Sequence, residues 1–208
     1  MNTPTNTPTD TPVAVASPPA RAPAPSKADI SDVLGRGLKN LWYPICPSHF
    51  VTDSPVSLRR LGLKLAVWRD TRAQGQGKVY ALEDHCPHRG APLSQGANLG
   101  DHLVCPYHGI EVRCDGMVTK VPASPDCALV GNRVARSFHV VDAHGAIWLY
   151  NSASYVETPP PLNLPPELTD TENYSHFLCY TEWRGDYRYV PDNAMDPMHR
   201  TVLPTKNH

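Results

Sequence analysis

Cys86-Pro87-His88-Arg89-Gly90 and Cys105-Pro106-Tyr107-His108-Gly109 decide how this chain is read. The two stretches spell C-x-H, sixteen intervening residues, then C-x-x-H. Two thiolates and two imidazoles in that order can hold a two-iron, two-sulfur cluster, with Cys86 and Cys105 on one iron and His88 and His108 on the other. A glycine after each pair lets the backbone turn sharply. Pro87 and Pro106 stiffen the loops and remove an N–H donor.

Ligand type sets the electron chemistry. Four thiolates leave an oxidised cluster with two net negative charges; two neutral imidazoles in their place bring the sum to zero. Reduction becomes easier, and potentials rise to roughly −150 to +300 mV from about −400 mV for all-Cys plant-type clusters. The outer ring nitrogens remain free to bond a partner's carboxylate. The competing reading is a Cys2His2 zinc site, although zinc fingers usually order their ligands Cys-Cys then His-His.

Strand and turn signals surround the motif. Ser57 to Trp68 alternates, Ala73 to Gly77 signals a hairpin turn, and Lys78 to Leu82 follows as a strand leading into the first loop. His102 to Val104 leads into the second. Ile110 to Arg113 and Met117 to Val121 read as a hairpin across Cys114-Asp115-Gly116, and Ser137 to Val141 and Ala146 to Tyr150 as another. The pattern predicts a mainly β fold, with an antiparallel domain over residues 40–152. Ser31 to Leu41 reads as a short helix, and Trp42, Trp68 and Trp148 as core.

The flanks differ in composition. Residues 1–28 hold seven prolines and few large apolar side chains, which predicts a disordered Thr/Pro/Ala-rich tail without the apolar core of a signal peptide. Residues 157–168 form a Pro-rich connector, so a second domain is expected to open at 169–208, with Ser175 to Trp183 as a strand and Gly185 to Met198 as an interrupted helix. A net charge of −1 without basic runs implies neither nucleic acid nor a membrane surface as partner. No apolar stretch approaches the ~20 residues that span a bilayer. Six cysteines without a regular framework read as reduced thiols plus two ligands, in a cytoplasmic protein.

Cys86-Pro-His-Arg-Gly-Ala-Pro-Leu-Ser-Gln-Gly96 and Cys105-Pro-Tyr-His-Gly109 resemble the Rieske family, in particular the α (oxygenase) subunits of Rieske non-haem iron aromatic-ring-hydroxylating oxygenases. The respiratory branch carries two further cysteines where this chain has Ala91 and Tyr107, and a sulfur-bonding serine where it has Ile110. Both departures imply a potential at the low end of the Rieske range. The resemblance also implies that residues 169–208 open an α+β, helix-grip-like catalytic domain.

Asn193, Asp196 and His199 resemble the family's N-x-x-D-x-x-H, which opens its mononuclear iron site. By that resemblance His199 is an Fe(II) ligand, and Asp196 bridges it to a cluster histidine of a neighbouring subunit. The family's second iron histidine falls at Pro204, with His208 the nearest later histidine, so the triad is incomplete and truncation within the catalytic domain is expected.

The implied activity is a mono- or dioxygenase reaction on an aromatic or similar apolar substrate with O2. Electrons would come from NAD(P)H through a reductase and in some systems a ferredoxin, in a homotrimer or α3β3 assembly. The alternative is a stand-alone Rieske-type ferredoxin. Arg89 is expected to fix its loop or be solvated, and Tyr107 to pack over the cluster. His85 and His102 are expected to be ordinary loop or strand residues.

Overall fold

A computed structural model describes residues 35–72, 75, 77–175, 177, 179–182, 190 and 195. Of the short helix expected over Ser31 to Leu41, Gly35 is helical among the described residues and residues 36–40 are not, and the chain enters the fold as β1 (Leu41–Pro47). Asn40 at φ 62° and Gly37 at φ 68° break any helical path before it. Strand β1 tolerates Pro44 and Pro47 because it is an edge strand. It pairs antiparallel with β11 (Ala146–Asn151), which also pairs with β10 (Val140–Ala143).

The stretch expected as one strand from Ser57 to Trp68 is two. Strands β2 (Val56–Arg60) and β3 (Leu63–Arg69) fold back across Leu61 and Gly62, both at positive φ, as a two-residue hairpin requires. Strands β4 (Val79–Glu83) and β9 (Ser137–Phe138) complete this sheet in the order β2-β3-β4-β9. The expected strand from Ser137 to Val141 is therefore divided: its first two residues pair with β4, the rest with β11.

A third, smaller sheet carries β5 (Ala97–Asn98), β6 (His102–Val104), β7 (Glu111–Arg113) and β8 (Val118–Lys120) in sequence order.

Strand β3 positions everything else. Its residues alternate between two cores: Leu65 and Val67 join Ile45, Val79, Ala81, Ile147 and Leu149 in one. Ala66 and Trp68 join Leu82, Leu93, Leu103, Ile110, Val112 and Val118 in the other, which also contains Cys86 and Cys105. Period-two alternation with apolar residues on both faces is what a central strand between two layers needs. Trp68 is fully buried, with its indole N–H donating to Gly100 O at 2.7 Å, whereas Trp42 and Trp148 are only half-buried.

Close backbone approach fixes the small sheet. A Cβ on Gly96 would lie 1.9 Å from Val104 O, a backbone atom that cannot move without parting β5 from β6. Gly96→Ala is expected to lower stability by roughly 2–4 kcal/mol, measurable as a reduced denaturation midpoint.

Asp115, in the β7–β8 turn, takes Arg113 Nε and Nη2 at 3.0 and 2.7 Å and Arg133 Nε at 3.1 Å. The Arg113 hydrogen bonds, with the Met117 amide and the Arg133 charge, hold its carboxyl at a pKa of about 2, although burial opposes them. A depressed carboxyl pKa stabilises the fold fully above the unfolded value near 4 and loses that contribution as pH falls to about 2. Asp115→Asn is expected to flatten the stability profile across that window in acid titrations.

Beyond β11 the chain lies on the domain. Trp42 Nε1 donates to Pro160 O at 3.0 Å and His139 Nε2 to Val156 O at 2.6 Å. Helix α1 (Pro166–Thr169) starts on a proline, where no N–H is needed. Among the described residues of 175–183 there is no strand, contrary to expectation; Tyr180 instead sets its ring edge against Phe50 and its hydroxyl on Arg60 Nη2 at 2.8 Å. No helix among the described residues is long and apolar enough to cross a membrane. The tail at 1–28 lies outside the described residues.

Candidate metal centre

Two loops at one end of the small sheet have the same backbone frame. In the first, Cys86 N–H donates to Ala91 O at 2.7 Å, and Gly90 N–H to Cys86 O at 2.8 Å. In the second, Cys105 N–H donates to Ile110 O at 2.7 Å, and Gly109 N–H to Cys105 O at 3.0 Å. Gly90 and Gly109 sit at φ 70° and 68°, the left-handed region that side chains avoid. The frames match while the histidine shifts, two places after Cys86 and three after Cys105.

The donors stand as two pairs. Cys86 and Cys105 are each 2% exposed and point into the apolar core, with their thiols in hydrogen-bond contact. His88 and His108 lie on the exposed side, Nδ1 facing Nδ1 at 3.2 Å. Two imidazoles on one tetrahedral ion, with bonds of about 2.0–2.1 Å, place their nitrogens about 3.3–3.4 Å apart. Among the described residues no three His, Cys, Asp or Glu side chains gather to hold a single ion. Two sulfurs beside two nitrogens, in pairs and not as one quartet, fit a binuclear core with a pair of ligands on each metal.

Burial raises the Cys86 thiol pKa, the His88 and Arg89 amides lower it by hydrogen bonding to the sulfur, and neighbouring Cys105 raises it again. Metal binding must expel that proton, since the thiolate is the ligand. The same two amides would then stabilise negative charge on the sulfur, one way a protein tunes such a cluster.

Residues 41–139 match the family profile described as Rieske [2Fe-2S] domain. That stretch is a Rieske [2Fe–2S] domain. The relatives it matches include oxygenase components of that family. A vanillate O-demethylase oxygenase subunit from Pseudomonas sp. (strain HR199 / DSM 7063) is 33% identical over 170 residues, 79% of this chain and 44% of that protein.

Among solved structures, dicamba monooxygenase with non-haem iron and dicamba matches at 32% identity with a TM-score of 0.54, over 64% of this chain and 39% of that one. The reduced oxygenase–ferredoxin complex of carbazole 1,9a-dioxygenase matches at 31% identity and TM-score 0.54, over 64% of this chain and 33% of that one. The chain thus spans less than half the length of the curated relative and of both matched structures.

Around the Rieske loops, Tyr107 stacks on His108 with ring centroids 3.8 Å apart and is 63% exposed, so it flanks the histidine rather than sealing it. Arg89 is exposed beside His88. His102 is held by Asp101 at 2.8 Å, and His85 faces Glu83 at 3.8 Å. Ile110 is buried beneath the second loop. Asn193, Asp196, His199, Pro204 and His208 lie outside the described residues. All six cysteines are free, with Cys46, Cys86 and Cys105 buried.

Sequence reasoning passed over Asp84, a fully buried carboxylate two residues before Cys86. Its signal was available: an acidic residue at the end of an apolar strand, directly before a ligand loop.

Proposed function

We propose that this chain is the electron-relay part of a Rieske non-haem iron oxygenase component. Residues 40–152 form the Rieske domain, 157–168 the connector and 169–208 the opening of the catalytic domain. The pairing of buried Cys86 and Cys105 with exposed His88 and His108 carries this reading. Cys86 and Cys105 would hold one iron of the [2Fe–2S] cluster, and His88 and His108 the other. When bound, the cluster supplies one-electron storage.

The chain's own residues do the rest. Core side chains around the two cysteines exclude water from the sulfur side. The histidine rings reach the surface, where their outer nitrogens offer an electron path to a partner carboxylate. Asp196 is proposed as that carboxylate, across a subunit interface of a homotrimer or α3β3 assembly, and His199 as a ligand of a mononuclear Fe(II).

Electrons would originate in NAD(P)H and arrive through a reductase, with a ferredoxin as intermediate where one is used. The activity of the whole protein would be O2-dependent hydroxylation of an aromatic or similar apolar substrate in the cytoplasm. Division of labour between a relay cluster and a separate iron is what lets single electrons feed a reaction that consumes two.

Metal analysis of the purified chain is the test. Two irons and two acid-labile sulfides per chain are expected from the Rieske site, and a third iron from a formed mononuclear site. Zinc in place of iron contradicts the reading.

A further inference from the structure

Asp84 brings a charged side chain into the protein interior, at 2% exposure. Ser57 Oγ donates to its Oδ2 at 2.7 Å, Ser94 Oγ to Oδ2 at 2.8 Å, and the Ser94 backbone N–H to Oδ1 at 2.8 Å. Lys64 Nζ stands 3.4 Å from Oδ2, and the Asp84 backbone N–H donates to Lys64 O at 2.8 Å. Buried carboxylates are costly unless donors surround them, and here donors arrive from three separate elements.

Those elements give the arrangement its meaning. Ser57 is on β2 and Lys64 on β3. Ser94 is in the 3-10 turn Leu93–Gln95 that ends the first Rieske loop. Asp84 begins that loop, directly after β4. One carboxylate therefore joins the loop's entrance to its exit and ties both to the larger sheet. Cys86 and His88 lie within the span so closed.

We propose that Asp84 is a positioning residue for the cluster: it clamps the first ligand loop at both ends and sets a buried carboxylate two residues before Cys86. The proposal rests on the cluster assignment made above. Without the clamp, the loop would keep its backbone frame, the Asp84 N–H bond to Lys64 O and the buried Leu93, but its two ends would lose the carboxylate that joins them, and Cys86 and His88 would gain freedom relative to Cys105 and His108. Donors within about half an ångström of their productive positions are what a preorganised metal site needs.

Three variants of the cluster-loaded chain test this: Asp84→Asn, Asp84→Ala and Ser94→Ala. In Asp84→Asn, the remaining carbonyl still accepts the Ser94 N–H, and the two hydroxyls rotate to accept from the new amide. Shape persists and charge is lost. This variant is expected to keep the Rieske EPR signal while becoming on the order of threefold easier to reduce, about 28 mV by the one-electron relation of 59 mV per tenfold. Asp84→Ala and Ser94→Ala are expected to release iron to a chelator roughly tenfold faster, with broadened EPR lines.

Wild-type midpoint, line width and release rate in both Asp84→Asn and Ser94→Ala would overturn the proposal. So would faster iron release that merely tracks a lowered global unfolding midpoint. Should Asp84→Ala not fold, Asp84→Asn and Ser94→Ala decide alone. A wild-type chain lacking any Rieske signal would instead overturn the cluster assignment itself.

Discussion

His108→Cys is expected to keep a two-iron cluster and lower its midpoint potential by a hundred millivolts or more. The new thiolate adds a negative charge to one iron, so the electron enters against greater repulsion. The reference points are about −400 mV for four-cysteine clusters and roughly −150 to +300 mV for Rieske centres. Geometry favours retention: the loop frame around Cys105 depends on the backbone and Gly109, not on the His108 ring. His108→Ala, which supplies no donor, is expected to lose iron. Redox titration followed by visible spectroscopy reads both, and unchanged spectra in His108→Cys would remove His108 from the ligand set.

Trp68→Ala is expected to be the most damaging core substitution. The side chain is fully buried and sits in the core that contains both ligand cysteines. It also ties β3 to the β5–β6 turn through Gly100 O at 2.7 Å. Large-to-small changes at buried aromatics cost about 3–5 kcal/mol, and a typical domain has about 5–15 kcal/mol in all. Chemical denaturation is expected to show a midpoint lowered accordingly, with cluster loss at lower denaturant because the floor beneath Cys86 and Cys105 goes with it. A midpoint within about 1 kcal/mol of wild type would show that the cavity collapses or fills.

The parts of this protein legible in its sequence are those specified locally. C-x-H and C-x-x-H carry their own chemistry, and the structure sets Cys86 against Cys105 and His88 against His108. Hairpins closed by short turns, such as β7–β8 around Cys114-Asp115-Gly116, also showed in the alternation. Pairings over long separations did not. Strand β1 contains two prolines and finds its partner β11 about a hundred residues later. Strand β5 is two residues long and exists because Gly96 lets its backbone approach Val104.

The turn at Leu61-Gly62 was hidden because a leucine at positive φ is not a usual turn residue, so two strands read as one. Asp84 itself stood in plain view before the ligand loop, but its partners did not: Ser57 lies 27 residues before it and Ser94 10 after, and they meet it only in the folded chain.

The most direct test of the two-plus-two ligand set is pulsed EPR of the dithionite-reduced protein grown with 15N-histidine. The account predicts a Rieske-type signal of low average g-value, coupled to two histidine nitrogens on the reduced iron, each lost in the matching variant at His88 or His108. A colourless protein, or a cluster signal with no histidine nitrogen coupling, would contradict it.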